Sequence, residues 1–280
     1  MRLERIIRAV YCEPWLIDAR THAAIRRLLD SKLAQSLPLP ESIPASEAKG
    51  EPVPVNIAEI PIHGVIGRRL DGLEKACTGG VDLIDVEGAL SAAVEDPSIA
   101  GIFLNMDSPG GTVGGVAELA NYVAAAKAIK PVMAYADGMM ASAAYWIGAG
   151  ASVVYASSGS EVGSIGVYIP WVDESAAYAM DGLKVDLIKN KEGDFKGMGM
   201  PGTSLTTEQR ANLQEAVDQI FGMFSGFVTA HRPKVKADAM RGQTFIGESA
   251  RSVGLVDSIT SRSRALADLV RLCNPDKKKR

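Results

Sequence analysis

The sequence predicts an α/β layered domain with a mostly parallel sheet, carrying a helical appendage at its N-terminus. Three observations lead there. From residue 55 onward, short apolar runs alternate with segments of helical periodicity, the order that a parallel sheet with crossover helices requires. Those runs are apolar without alternation, as strands covered on both faces are. Glycine is 28 of 280 residues, above the usual ~7%, while aromatics are only 6%. Small and aliphatic side chains therefore build the core, and backbones pack closely.

The elements follow in order. Residues 3–34 read as helical, with Leu16, Ile17, Ala24, Ile25, Leu28 and Leu29 recurring between Arg20, Arg26, Arg27 and Asp30. Pro14 splits this stretch into a short helix and a longer one, and residues 1–35 form the appendage. Residues 36–54 hold Pro38, Pro40, Pro44, Pro52 and Pro54 and read as a linker. The main domain covers 55–260. It opens with a strand over 55–66, a helix over 81–95, a strand over 99–106 and a helix over 113–129. A strand over 132–135, a helix over 141–149 and strands over 153–155 and 165–169 come next. A helix over 173–180 and a strand over 185–188 follow. Thr206 with Gln209 forms a capping box that opens a long helix to about His231. A helix over 261–272 and a basic tail complete residues 261–280. No internal repeat is visible.

Charge and composition exclude several functions. The net charge is −3 although residues 277–280 are all basic, so the body has no general attraction to nucleic acid. Cys12, Cys77 and Cys273 are far apart, which argues against a disulfide framework or a zinc site and fits a reducing compartment. The charged N-terminus lacks the apolar core of a secretory signal, so a cytoplasmic protein is expected. Residues 138–160 carry no charge over 23 positions, long enough to span a bilayer. They are rich in Gly and Ser and poor in Leu, Ile and Phe, which points to a buried soluble segment and not to a membrane.

Some motif matches are empty. Residues 197–202 fit GxGxxG, but no strand runs into them and no helix opens from them. Ser46 and Lys49 match SxxK inside the Pro-rich linker, where nothing would desolvate the lysine. Two turns are more informative. Ser108-Pro109-Gly110-Gly111 lies between a strand and a helix; it is either a tight βα turn or a cradle of N–H groups for an oxyanion. Ser142 stands where a strand gives way to a helix, with Ala141, Ala143 and Ala144 around it; it is either a helix N-cap or a nucleophile with room for a substrate backbone. A nucleophilic serine needs a base. His22 and His231 fall on outer helices and His63 has no matching acid. A lysine serves when burial lowers its pKa from about 10.4, and residues 189–197 offer Lys189, Lys191 and Lys196.

These residues carry a family resemblance over roughly 55–260. The ordered set is 104–111 (Leu-Asn-Met-Asp-Ser-Pro-Gly-Gly), Ala141-Ser142, 162–167 (Val-Gly-Ser-Ile-Gly-Val), Asp194-Phe195-Lys196, 242–247 (Gly-Gln-Thr-Phe-Ile-Gly) and 254–257 (Gly-Leu-Val-Asp). The set resembles the signal peptide peptidase A (protease IV) family of Ser–Lys peptidases. Glu13-Pro14-Trp15 and the helix after it are similar to the phage branch, the capsid-maturation protease C type. The resemblance implies Ser142 as nucleophile and Lys196 as general base, 54 residues apart. It implies Ser164 as the serine that hydrogen-bonds the lysine, and the N–H groups of Gly110 and Ala143 as the oxyanion hole. Ala143-Ala144 replaces the Gly-Gly of many relatives, and Phe195 and Gly197 depart from the commonest lysine-loop residues.

The implied fold is the Clp protease/crotonase ββα superhelix. The implied function is a serine endopeptidase that cuts scaffold, portal or capsid proteins during phage head assembly. It would work as a homo-oligomer, with no metal or cofactor, nucleic acid or membrane. Three other readings share parts of this pattern: a host-type peptidase of signal peptides, a non-catalytic assembly protein that keeps the fold, and an acyl-CoA enzyme of the crotonase type.

Overall fold

The computed structural model describes residues 10, 14–35, 56–70, 75 and 79–274. The Pro-rich linker, the basic tail, Cys12 and Cys77 lie outside the described residues.

The first element departs from the sequence reading. Residues after Pro14 form a strand, β1 (Trp15–Ile17), and only then a helix, α1 (Ala19–Gln35). Trp and Ile favour extended backbone. Asp18 ends the strand and caps the helix, its Oδ1 accepting from the N–H groups of Arg20 and Thr21 at 3.1 and 3.2 Å.

The main domain repeats a strand–strand–helix unit. β2 (Ile57–His63), β3 (Ile66–Gly67) and β4 (Val81–Asp82) lead into α2 (Leu83–Glu95). β5 (Gly101–Ser108) and β6 (Gly110–Thr112) lead into α3 (Val116–Ala126). β7 (Val132–Ala141) is followed by α4 (Ala143–Ala149), then β8 (Val153–Ala156), β9 (Glu161–Gly163) and α5 (Ser175–Met180). α6 (Thr207–His231), β10 (Thr244–Ile246), α7 (Glu248–Ser252), β11 (Ser258–Ile259) and α8 (Arg262–Cys273) close the chain. The capping box of Thr206 and Gln209 forms as the sequence predicts, and Ser261 caps α8.

A seven-stranded sheet runs β10-β9-β7-β5-β2, with β8 paired to β7 and β11 to β8. All its pairs are parallel except β9 with β10. A smaller sheet has the order β1-β6-β3-β4. The N-terminal segment is thus part of a sheet, because β1 pairs antiparallel with β6.

α4 is buried at every residue and packs beside β7 and α3. This explains the long uncharged stretch: it is a strand, a fully covered helix and another strand. No helix among the described residues is long and apolar enough to cross a membrane. Residues 165–169 are not a strand; Tyr168 makes one isolated bridge to Trp15. Residues 185–188 have no regular structure either, and Ile188 is fully exposed.

Candidate active site

β7 is longer than its apolar core predicts and delivers Ser142 to the head of α4. Ser142 has φ 54° and ψ −117°, a region that costs a non-glycine residue about 1–3 kcal/mol. Ser142 occupies the N-cap position of α4, but its hydroxyl makes no capping hydrogen bond there. The surroundings hold the strained turn in place. The Ser142 N–H donates to Gly163 O at 2.8 Å, and the Trp146 N–H donates to Ser142 O at 2.9 Å. Trp146 stacks on Phe224 with ring centroids 4.7 Å apart, and the Tyr145 hydroxyl donates to Leu255 O at 2.9 Å. Three residues before Ser142 in β7, the Met139 N–H donates to Asp107 Oδ1 at 2.9 Å.

Ser164 has the same backbone character, with φ 53°. Arg69, Ser142 and Ser164 are the three non-glycine residues with positive φ among those described. Two of them are site residues expected from the sequence. Ser164 follows directly on Gly163, the partner of the Ser142 N–H, and its own N–H donates to Gln243 O at 2.8 Å. It lines a cavity of about 510 Å³ with Ile165, Val217, Phe221 and Met240.

The two expected oxyanion donors differ. Ala143 opens α4, and first-turn N–H groups have no acceptor within their own helix. Gly110 sits beside the Ser142 turn at φ 100°, where a Cβ would lie 3.0 Å from Ala141 O. Its N–H, however, is directed to Ser108 Oγ at 3.2 Å, and that hydroxyl donates to Gly64 O at 2.6 Å. Ser108 is fully buried, and its role was not legible from the turn motif alone.

Lys196 is exposed in the turn-rich segment 189–202, and its ammonium is not hydrogen-bonded to Ser142 or Ser164. The segment is held elsewhere. Lys189 Nζ donates to Asp194 O at 3.0 Å, and Gln209 Nε2 donates to the same carbonyl at 2.7 Å. Lys191 is exposed as well.

Two of the histidines are engaged away from Ser142, and His63, exposed at the end of β2, faces Asp107 of β5 in parallel register. His22 is buried: Tyr168 OH lies 2.9 Å from its Nδ1 and Val10 O lies 2.8 Å from its Nε2. His231 lies at the end of α6, with Nδ1 3.2 Å from Lys127 Nζ. The 254–257 motif also has a structural part. Asp257 pairs with the buried Arg232 at 2.7 Å and accepts the Val154 N–H at 2.9 Å. No group of three or more His, Cys, Asp or Glu among the described residues has a metal-binding arrangement.

Fold and site together define an α/β protein in which a strained serine closes a parallel strand at the head of a buried helix. The chain belongs to peptidase family S49, whose model matches residues 124–274. It is 33% identical over 183 residues to a putative protease of Methanocaldococcus jannaschii, covering 64% of this chain and 58% of that protein. It is 30% identical over 223 residues to capsid assembly protease C of Escherichia phage lambda, covering 79% of this chain and 50% of that one. The chain therefore spans about half the length of these curated relatives. A ClpP1 mutant of Listeria monocytogenes superposes with a TM-score of 0.47 at 14% identity, over 75% of this chain and 94% of that one.

Proposed function

We propose that the chain is a serine endopeptidase in which Ser142 attacks the peptide carbonyl and Lys196 is the general base. The observation that carries this reading is the backbone of Ser142. A buried serine held at positive φ, with its hydroxyl unused as a helix cap, is strain kept at a reacting position. Membership of family S49 and the protease relatives support the same chemistry.

In this mechanism Lys196 takes the Ser142 proton as Oγ adds to the carbonyl carbon. The Ala143 and Gly110 N–H groups hold the oxyanion, each contributing roughly 3–4 kcal/mol. Gly110 has first to turn its N–H from Ser108 Oγ. Ser164 orients the lysine amine. Lys196 then protonates the leaving amine, and water hydrolyses the acyl-enzyme. Because Lys196 is exposed and not hydrogen-bonded to Ser142 in the single chain, the site is completed by an inward shift of segment 189–202 or by a second copy. The similarity to capsid assembly protease C supports a phage-head setting, with scaffold, portal or capsid proteins as substrates, in the host cytoplasm or the procapsid.

The test is cleavage of such proteins, and of an unstructured polypeptide, by wild type, Ser142→Ala and Lys196→Ala, with Lys189→Ala and Lys191→Ala as controls. Loss in the first two variants alone is expected. Equal cleavage by all five proteins sinks the dyad. Mixing the Ser142→Ala and Lys196→Ala proteins distinguishes the two routes, since only a lysine supplied by a second copy restores activity. The exposed Lys196 and the occupied Gly110 N–H favour a second reading, a non-catalytic assembly protein. That reading predicts no reaction of Ser142 with a serine-directed phosphonate.

A further inference from the structure

β1 is held along both edges. Trp15, Leu16 and Ile17 face Thr112, Gly111 and Gly110 of β6 in antiparallel register. On the other side Trp15 N–H donates to Tyr168 O at 2.9 Å, and Tyr168 N–H donates to Trp15 O at 3.3 Å. Asp18 N–H donates to Pro109 O at 2.8 Å.

Both walls lead into the Ser142 turn. A Cβ on Gly110 would lie 2.0 Å from Leu16 O and 3.0 Å from Ala141 O, so the β1 backbone and the residue before Ser142 crowd the same glycine. The opposite wall begins at Ser164, directly after the carbonyl that accepts the Ser142 N–H. The direction of β1 places Ile17 at Gly110 and Trp15 away from it. Residues 15–18 thus lie as a peptide lies when it adds a strand to a binding groove, with the C-terminal end toward Ser142.

We propose that the groove between β6 and residues 167–169 is the polypeptide-binding site serving Ser142, and that residues 15–18 fill it as an internal occupant which substrate must displace. This rests on the reading of Ser142 as nucleophile. The occupant defines the substrate class. Trp15, Leu16 and Ile17 are 4%, 0% and 3% exposed, so the groove accepts bulky apolar residues on both faces of an extended chain before the cleaved bond. The cavity beside Ser164 opens at Asp18, the next position along, with Val217, Phe221 and Met240 on its wall.

The segment is fastened from the α1 side by contacts separable from the main sheet. The His22 ring lies 5.1 Å from Trp15 and hydrogen-bonds Tyr168, and Arg20 pairs with Glu161 on β9 at 2.5 Å. Displacing β1 breaks its pairing with β6 and leaves the seven-stranded sheet intact.

The experiment uses full-length protein and a fluorescent peptide of residues 13–20. In a Ser142→Ala background, Trp15→Ala with Ile17→Ala is expected to bind the peptide about tenfold more tightly than Ser142→Ala alone, as for a site freed from a competitor. A peptide carrying Leu16→Lys is expected not to bind. His22→Ala keeps the β1 side chains and is expected to act in the same direction; it carries the test if the double variant does not fold. With Ser142 intact, the opened variants are expected to react faster with a fluorophosphonate. Folded variants that bind the peptide no better than the parent overturn the proposal. Peptide binding without Ser142-dependent labelling keeps the groove and overturns the nucleophile. Equal labelling of all forms with no peptide binding does the reverse.

Discussion

Ser142 concentrates the cost of the site in one residue. Serine and alanine both carry a Cβ that conflicts with φ 54°, whereas glycine adopts it freely. Ser142→Gly is therefore expected to be more stable than Ser142→Ala by about 1 kcal/mol, read as a difference in urea midpoint at constant slope. Asp257 makes a different prediction. Its carboxylate neutralises Arg232, whose side chain is 9% exposed, while Asp257 itself is 33% exposed. Asp257→Ala leaves the guanidinium buried and unpaired, and an unfolding free energy lower by about 3 kcal/mol is expected, near the low end for a broken buried pair. Ser142 and Ser164 were legible in the sequence because strand-to-helix punctuation and family motifs mark them. Their shared positive φ was not, since nothing in a serine codon signals a strained backbone.

At the scale of elements, α6 does more than cover the core. Its capping residue Gln209 also holds the Asp194 carbonyl, two residues before Lys196. Gln209→Ala is expected to cost about 1 kcal/mol of stability through the lost cap. If Lys196 is the base, it also lowers turnover while Ser142 labelling persists. Thr206→Ala removes the other half of the box and serves as the comparison. The element boundaries the sequence missed share a cause. β1 hides within a helical pattern because three residues are too few to show a period, and an antiparallel partner strand, with Gly111 in register with Leu16 95 positions away, decides their conformation. The expected strand over 185–188 is absent because an apolar run without a neighbouring strand has nothing to pair with.

For the whole molecule, the histidines set a pH dependence. Burial, with the charge of Arg26 adding, holds His22 below its ordinary 6.5 despite the Val10 carbonyl. Burial and the Lys127 ammonium lower His231 as well. The unfolded chain then takes up protons first, so this part of the stability is complete above about pH 6.5 and is lost as pH falls through the lowered folded values. A melting temperature that declines between pH 7 and pH 5 is expected, with a shallower decline in His22→Gln. Composition and periodicity by themselves determined the parallel α/β layering, the largely buried character of residues 138–160 and the α6 capping box. Those features depend on local propensity and on apolar patterning that each segment carries within itself. Only the tertiary structure decided that Ser142 is strained, that Lys196 is exposed, that Ser108 is tied to Gly64 and that residues 15–18 lie between β6 and Tyr168. The Ser142 turn, the Ser108–Gly64 bond and the placement of residues 15–18 depend on segments far apart in sequence meeting at hydrogen-bond distance, and no local pattern encodes such a meeting.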